Sequence, residues 1–308
     1  MIESFLMVGQ QVLTLFLLGA VGFAIGKLRW IDDHTSRGIS NMVMNVVFPC
    51  IMITSFQRPL EQSSLHNFGM VLLLGTIIHI AALLLAHTLL PRRDTARPLY
   101  EFGVIFSNCA FMSYPLQTAM LGTIGVFYGS AYVVVYTVLS WTYGIWLLTG
   151  DKKNLSLRPI LLNPGVIGVL IALPLYLLQI SLPSVLMTPM QYISNLNTPL
   201  PMMIVGYQLS HADLRGALRS RSCWVSMALR LVVVPLLSLG LCYALQVERS
   251  VALTVVIASS APAGAALSMF AARFEKDTDL ASSIVSTHTV FSVLTMPLIV
   301  GLAQYLIG

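Results

Sequence analysis

Two short segments combine small or polar residues with a proline, deep inside long apolar stretches. They cover residues 106–115, which end at Pro115, and residues 259–265, which contain Pro262. A proline in a helix interior removes one backbone donor and clashes with the preceding turn, so both segments are predicted to interrupt helices. The plain alternative is a kink, because prolines are frequent in membrane helices.

The two interruptions are predicted at the same depth. Ser107 follows Arg97 by ten residues, which is about 15 Å of helix. Pro262 precedes Arg273 by eleven residues, which is about 16 Å. If each arginine marks a membrane surface, both interruptions lie near the middle of a hydrocarbon core about 30 Å thick.

An interruption at mid-membrane suits the binding of an anion. The freed backbone groups are tolerated only in protein or beside a wet cavity, and the second half of a broken helix points a positive N-terminus at the midplane. Residues 107–108 and 262–263 are therefore the predicted substrate site, namely Ser107, Asn108, Pro262 and Ala263, and Ser260 lies beside them.

The elements that carry these segments must be membrane helices. Of the 308 residues, 56% are hydrophobic and only 9% are charged, which is too few charges for a water-facing surface. The sequence predicts an all-α integral membrane protein with ten spans in one membrane domain, 1–308. The predicted spans are 5–27, 38–57, 66–90, 98–121, 124–149, 160–181, 185–210, 218–246, 250–273 and 279–307.

Basic residues alternate between the loops and predict the orientation. Odd-numbered loops carry most of them, namely Lys27, Arg29, Arg37, Arg92, Arg93, Arg97, Lys152, Lys153, Arg158, Arg215, Arg219, Arg221, Arg273 and Lys276. Even-numbered loops hold only Arg58 and Arg249. Because positive loops stay in the cytoplasm, we expect both termini outside. A net charge of +5 divided among separate loops does not indicate nucleic-acid binding.

The chain divides into two halves of five spans, 1–150 and 159–308. An odd number of spans in each half gives the halves opposite topology, so the sequence predicts two inverted repeats. Secondary carriers built in this way bind their substrate at discontinuous helices near the midplane. The predicted broken helices, the fourth and the ninth, occupy corresponding positions in the two halves.

Several segments resemble the auxin efflux carrier family, whose bacterial members are often described as malate or malonate permeases. The similarity covers essentially the whole chain and is carried by Asn45–Pro49, Ser107-Asn108 through Tyr114-Pro115, Pro201 through Gly206 to Leu209, and Ala261-Pro262 through Phe274-Glu275.

The resemblance implies a crossed-helix carrier with a scaffold of spans 1, 2, 6 and 7 that dimerises, and a moving part of spans 3–5 and 8–10. It implies that Asn108 contacts the substrate carboxylate, it adds Asn45 to the site, and it suggests the cytoplasmic membrane of a bacterium. Plant members have proline where this chain has Ser107 and a polar residue where it has Ala263. These departures argue against auxin as the substrate.

The source of energy is left open by the sequence. The chain has no phosphate-binding loop, and Gly22 and Gly26 instead predict a close-packing face near the end of the first span. Its acidic residues lie in loops or near span ends, with Glu101 the furthest inside. The sequence is compatible with three modes of transport: coupling to sodium held by carbonyls and hydroxyls, coupling to a proton, or uniport. His79 and His288 are deep enough to carry a proton, although a neutral, hydrogen-bonded histidine is the plainer interpretation.

Arg230 is the one cation deep within a predicted span. It is a candidate for attracting the substrate anion or for coupling. The competing interpretation is that its side chain snorkels to the cytoplasmic interface or has a structural role.

These observations together predict a secondary-active transporter of a small organic anion, with lipid as its surroundings and no cofactor. A channel or a substrate sensor on the same scaffold is the alternative. The four cysteines form no C-x-x-C pair, so no metal site is expected. An intramembrane enzyme is not expected, because no serine has a clear base partner.

Overall fold

Long apolar runs form helices here because a helix satisfies its own backbone hydrogen bonds, which is obligatory in lipid. The computed structural model describes residues 2–92, 94–151, 158–211, 218 and 220–307. The helices are α1 (Ile2–Lys27), α2 (Asp33–Met42), α3 (Phe48–Phe56), α4 (Gln62–Leu89), α5 (Arg97–Ile105), α6 (Ser113–Leu121), α7 (Thr123–Leu139), α8 (Ile145–Thr149), α9 (Arg158–Leu161), α10 (Pro164–Leu177), α11 (Ser184–Ser194), α12 (Pro199–His211), α13 (Arg221–Ala228), α14 (Val234–Ala244), α15 (Arg249–Ser260), α16 (Ala266–Arg273) and α17 (Thr278–Ile307).

Three π-helical turns join pairs of these helices without ending them. They are Val43–Val47 between α2 and α3, Ser140–Gly144 between α7 and α8, and Leu229–Val233 between α13 and α14. The sequence analysis did not foresee them. A π-helical turn widens the helix locally and is frequent at functional sites.

Five helical stretches within the described residues are long and apolar enough to cross a membrane. They are Asp33–Phe56, Gln62–Leu89, Thr123–Thr149, Arg221–Ala244 and Thr278–Ile307. Shorter apolar helices are Leu13–Lys27, Pro164–Leu177 and Arg249–Ser260.

Some predicted span limits differ from the helices. The predicted span 160–181 contains an α10 of only 14 residues. The predicted span 185–210 is divided by a 3-10 helix, Asn195–Asn197, between α11 and α12. Pro199 begins α12 directly after this 3-10 helix, and proline is favoured in a first helical turn because it has no N–H to leave unpaired.

The helices α1 and α12 pack against each other through glycines. A Cβ atom added at Gly22 would overlap the main chain of Met203, and one added at Gly206 would overlap the main chain of Gly19. The predicted close-packing face of Gly22 and Gly26 is therefore confirmed: small residues let the two backbones approach.

An aromatic cluster fills the core between α3, α4, α7 and α10. The ring of Phe56 lies 4.5 Å from that of Phe127 and 6.0 Å from that of Tyr176. Phe68 completes the cluster at 5.2 Å from Phe127. These side chains are buried, and this core holds α3 and α10 beside the helices that carry the site.

Candidate functional site

Two helix interruptions lie side by side in the described structure. The first separates α5, which ends at Ile105, from α6, which begins at Ser113. The second separates α15, which ends at Ser260, from α16, which begins at Ala266. They include the predicted positions 107–108 and 262–263.

The backbones of the two interruptions are paired antiparallel. An isolated β-bridge joins Ser107 and Ala263. The Asn108 N–H donates to Pro262 O at 2.7 Å, and the Gly264 N–H donates to Phe106 O at 2.8 Å. The pairing thus satisfies backbone groups that the interruptions would otherwise leave unpaired.

The local sequence explains this geometry. Pro262 has no N–H and enters the pairing only through its carbonyl oxygen, which suits its chemistry. A Cβ atom at Gly264 would lie 3.1 Å from Ser107 O, so a residue without a side chain fits the close approach. Pro115 was read as the break itself, but it lies in the first turn of α6, where a proline fits without loss of a hydrogen bond.

The predicted binding residues around the pairing have different environments. Ser107 is fully buried, and its hydroxyl oxygen has no hydrogen-bond partner among the described residues. The Ser260 hydroxyl is also buried and donates to Ile257 O at 3.0 Å. Pro262 and Ala263 are buried within the pairing. The Asn108 side chain is only partly buried, so its amide is the polar group most available to a ligand.

Asn45 is not brought together with the interruptions by any described hydrogen bond. It is exposed on the π-helical turn Val43–Val47, and its amide donates to Asn41 O at 2.7 Å. Arg37, Asn41 and Asn45 follow one another at four-residue spacing, which places them on one side of the helix.

Arg230 connects the ends of two half-helices. Its Nη1 donates to Val104 O at 2.9 Å and to Ile105 O at 3.4 Å, and its Nη2 donates to Ser259 O. The residue is 1% exposed, so the prediction that its side chain snorkels to the interface was wrong, whereas its bonds to three carbonyl oxygens are compatible with the structural role considered beside it. It lies in the π-helical turn Leu229–Val233, next to the carbonyl ends of α5 and α15.

His79 and His288 both lie near the end of α5, His79 beside Phe106 and His288 beside Gly103. The His79 Nδ1 is 2.7 Å from Gly75 O, and the ring lies 6.1 Å from that of Phe106. His288 Nε2 is 3.1 Å from the Ser226 hydroxyl. Both rings are buried, and in each the second nitrogen has no partner among the described residues. A neutral ring can make each of the described hydrogen bonds, which hold both histidines in place.

A polar cavity of about 680 Å³ leads to the second interruption. Its wall includes Ala265, the residue directly before α16, but not Asn108. The lining residues are mostly polar: Asp33, Ser36, Arg37, Tyr207, Gln208, His211, Ala265, Ser268, Asp279, Ser282, Ser283, Val285 and Ser286. Tyr207 closes one side by donating its hydroxyl to Asp33 Oδ1 at 2.8 Å.

The deepest acidic residue is neutralised by a partner. Glu101 in α5 is buried, and its Oε1 lies 2.7 Å from Arg97 Nε. No group of three or more metal-binding side chains occurs within the described ranges. Of the basic loop residues, Arg93, Lys152, Lys153, Arg215 and Arg219 lie outside the described part of the chain.

Two buried polar residues near the interruptions were missed from the sequence. Gln117 in α6 donates its amide to Thr254 O of α15 at 3.2 Å, and its Oε1 has no described partner. Asn197, in the 3-10 helix, donates to the Thr118 hydroxyl at 3.4 Å. The sequence did offer an indication of both residues, because each is an amide side chain within or beside an apolar run. Such a side chain is energetically unfavourable in a membrane unless it is paired or functional.

Comparison with known proteins gives consistent similarities. The membrane transport protein family matches residues 7–159 and 153–300. An uncharacterized transporter of Methanothermobacter thermautotrophicus is 23% identical over 302 residues, covering 94% of this chain and 96% of that protein. An uncharacterized transporter of Methanocaldococcus jannaschii is 23% identical over 299 residues, covering 93% and 95%.

A yeast transporter of the same description matches a shorter region, 19% identical over 159 residues, which is 46% of this chain and 27% of the yeast protein. The family match and the two nearly full-length relatives agree with a multi-pass helical membrane protein. The chain belongs to the membrane transport protein family, the family of auxin efflux carrier-like proteins.

Proposed function

We propose that this protein is a secondary-active transporter of a small organic anion, a mono- or dicarboxylate such as malate or malonate. The observation that carries the proposal is the pairing of the two interruptions beside the available amide of Asn108. In this proposal Asn108 donates to the substrate carboxylate, and the Ser107 hydroxyl, which has no described partner, supplies a second polar group.

The electrostatics of the interruptions support an anion. The first turns of α6 and α16 begin at the interruptions, and helix N-termini carry about half a positive charge each. Arg230 adds a formal positive charge nearby. The deepest acidic residue, Glu101, is already paired with Arg97 and does not oppose an anion.

The cavity supports alternating access. It reaches the start of α16 at one end, and its other residues include Arg37 of the first loop region and Asp279 at the start of α17. Both belong to the side that the basic loops mark as cytoplasmic. We propose that the cavity is the inward route to the site and that it closes when the helices with the interruptions move.

The finer architecture is part of the same proposal. Ten spans form two inverted repeats, 1–150 and 159–308, with the interrupted helices crossing at the midplane. Both termini are outside a bacterial cytoplasmic membrane, and the protein is a homodimer. Asn45 lies along the route on the same side of its helix as Arg37, which lines the cavity.

A channel or a substrate sensor is the second candidate. The polar residues of the described site concentrate around the interruptions, which favours a carrier because a channel needs a polar path along its whole length. Counterflow separates the classes: a carrier speeds the uptake of labelled substrate when unlabelled substrate is inside, and neither a channel nor a sensor does so.

The first experiment measures the thermal stabilisation of the purified protein by a panel of small carboxylates, with and without sodium. A ligand that binds the folded state alone raises the unfolding temperature by mass action. We expect a selective rise with malate, malonate or a similar anion, and counterflow of that anion in proteoliposomes.

The variant Asn108→Ala should lose both effects while it inserts and folds normally. The matched control is Asn67→Ala, because Asn67 also donates its amide, to the Tyr128 hydroxyl at 3.2 Å, but on α4 near its start. Full activity in a correctly inserted Asn108→Ala protein would contradict the proposed site. Stabilisation by neutral or cationic compounds alone would contradict an anionic substrate.

A further inference from the structure

The positive helix ends that support anion binding at the interruptions are accompanied by negative ones, because every interruption presents both kinds of helix end. The last turn of the first half carries about half a negative charge, and the first turn of the second half carries about half a positive charge. Here α5 and α15 end at the interruptions while α6 and α16 begin there. Side by side, the opposite ends largely cancel, so a further charge must decide which ligand is favoured.

The side chain of Arg230 lies on the negative ends alone. Its guanidinium donates to carbonyl oxygens in the last turns of α5 and α15, and no described hydrogen bond joins it to α6 or α16. The guanidinium carries one positive charge, and the C-terminal ends of α5 and α15 carry about half a negative charge each, so the guanidinium offsets both ends. The positive ends of α6 and α16 are then left without opposition.

The surroundings keep this charge in place. Arg230 is 1% exposed, so water does not screen it. His288 lies close by, because a Cβ atom added at Gly103 would be 3.8 Å from its Cε1 atom. The His79 Nδ1 must donate its hydrogen to Gly75 O, which can only accept. A neutral ring therefore satisfies that bond, and a second buried cation beside Arg230 would be unfavourable.

We propose that Arg230 is a built-in counter-cation that makes the paired interruptions selective for an anion. This inference rests on the proposed function and deepens it. Arg230 is a positioning residue: it acts on the substrate through the helix ends that it neutralises and holds together.

The same geometry bears on sodium. The carbonyl oxygens of Val104, Ile105 and Ser259 converge on the guanidinium, and carbonyl oxygens at the C-terminal ends of half-helices coordinate sodium in other carriers. Because the guanidinium already occupies this place, the unmodified protein is expected to bind and transport its carboxylate without sodium.

The test compares the unmodified protein with Arg230→Lys and Arg230→Gln in detergent, with malonate and sodium chloride as the probes. The carboxylate is titrated by thermal shift and by calorimetry, with choline chloride in place of sodium chloride as the reference. Arg230→Lys keeps the charge and should bind malonate within about threefold of the unmodified protein. Arg230→Gln removes the charge and should bind malonate more than about tenfold more weakly.

If Arg230 acts through its charge, its removal should make the protein bind sodium, which the loss of a merely structural residue would not do. In Arg230→Gln the vacated carbonyl oxygens should take up a cation, so that sodium now raises the unfolding temperature. The matched control is Arg97→Gln, which removes a largely buried arginine from the other end of α5. It should lower stability without a sodium effect and without a change in the preference for malonate.

Three outcomes would overturn the inference while the proposed function stands. The first is malonate binding by Arg230→Gln within about threefold of the unmodified protein, since the charge would then be irrelevant. The second is sodium-dependent malonate binding by the unmodified protein. This second measurement decides the matter even if Arg230→Gln does not fold. The third is weakened binding by Arg230→Lys to the level of Arg230→Gln.

If no carboxylate from the wider panel binds the unmodified protein, the proposed function itself fails.

Discussion

The α1–α12 contact and the paired interruptions both bring backbone against backbone, and they do so in opposite ways. Along α1 and α12 the helices stay intact, and the glycines at 22 and 206 remove the side chains that would hold them apart. At the interruptions the helices open, and exposed backbone groups pair with one another. The first arrangement keeps the backbone hydrogen bonds within each helix, and the second places the Asn108 amide and the Ser107 hydroxyl beside a pair of opened backbones. Close packing therefore suits a rigid support, and opened helices suit the proposed site.

The largest effect is expected from Gly206→Val, which tests the packed side of this comparison. A side chain at 206 would overlap the main chain of Gly19, which cannot move aside as a side chain can. Overpacking of this kind typically costs about 1–3 kcal/mol or more. We expect loss of monodisperse folded protein by size-exclusion chromatography and a lower unfolding temperature.

The control for this prediction is Gly240→Ala. Nothing lies within 4 Å of a Cβ atom at Gly240, so alanine in this helix should be neutral or slightly stabilising. An unaltered unfolding temperature for Gly206→Val would mean that α1 and α12 are not in close contact.

The second effect is expected from Asn108→Asp, at the opened side. The substitution keeps the size of the side chain and replaces a donor with a negative charge beside the proposed anion site. We expect counterflow of the carboxylate to fall more than about a hundredfold, because a repelled anion loses both the hydrogen bond and the favourable field. The amount of folded protein in the membrane should not change. Transport at the normal rate would contradict a role for this position in anion binding.

Ser107→Ala should have a moderate effect: substrate affinity should fall while stability is unchanged or rises. The buried hydroxyl of Ser107 has no described partner, so its removal should leave stability unchanged or raise it by up to about 1 kcal/mol. If the hydroxyl binds substrate, affinity should fall by about three- to tenfold. Ser130→Ala is the control: this buried hydroxyl donates to Phe127 O at 2.7 Å, so stability should fall slightly and affinity should not. An unchanged affinity in Ser107→Ala would remove this hydroxyl from the site.

The smallest effect is expected from His79→Gln. The ring is buried and its described hydrogen bond is to Gly75 O of its own helix, which indicates a structural role. Transport measured between pH 5.5 and 8 should stay within about twofold of the unmodified protein, with the same dependence on pH. Loss of the pH dependence in this variant, compared with the same substitution at His288, would identify His79 as a proton carrier.

The sequence was informative where a local pattern has a local consequence. Proline with polar neighbours at one depth indicated both interruptions, and glycines four residues apart indicated the packed face of α1. The role of Arg230 could not be read in this way, because the carbonyl oxygens that it binds belong to residues 126, 125 and 29 positions away in the chain. The hydropathy pattern showed that a cation lies in an apolar run. Which carbonyl oxygens bind it is seen only in the folded chain.

The π-helical turns and the buried amides were also beyond the sequence. A π-helical turn has no compositional signature and depends on how neighbouring helices pack. Gln117 was overlooked because its carbonyl partner, Thr254 O, lies 137 residues further along the chain. The same distance effect hid Asn197, whose partner Thr118 lies 79 residues earlier.

The hydrogen bonds that pair the two interruptions restrict very few residue types. They are made between N–H and C=O groups that almost every residue carries, so the two hydrogen bonds exclude a single residue type, proline, and only at positions 108 and 264, where the N–H donates. The close approach at 264 adds a preference for glycine there. The hydrogen bonds place no other demand on the side chains at 107, 108 and 263, although positions 107 and 263 are fully buried and admit only small residues. If the proposed site is correct, single substitutions at these positions are the natural starting points for redirecting the transporter to another substrate.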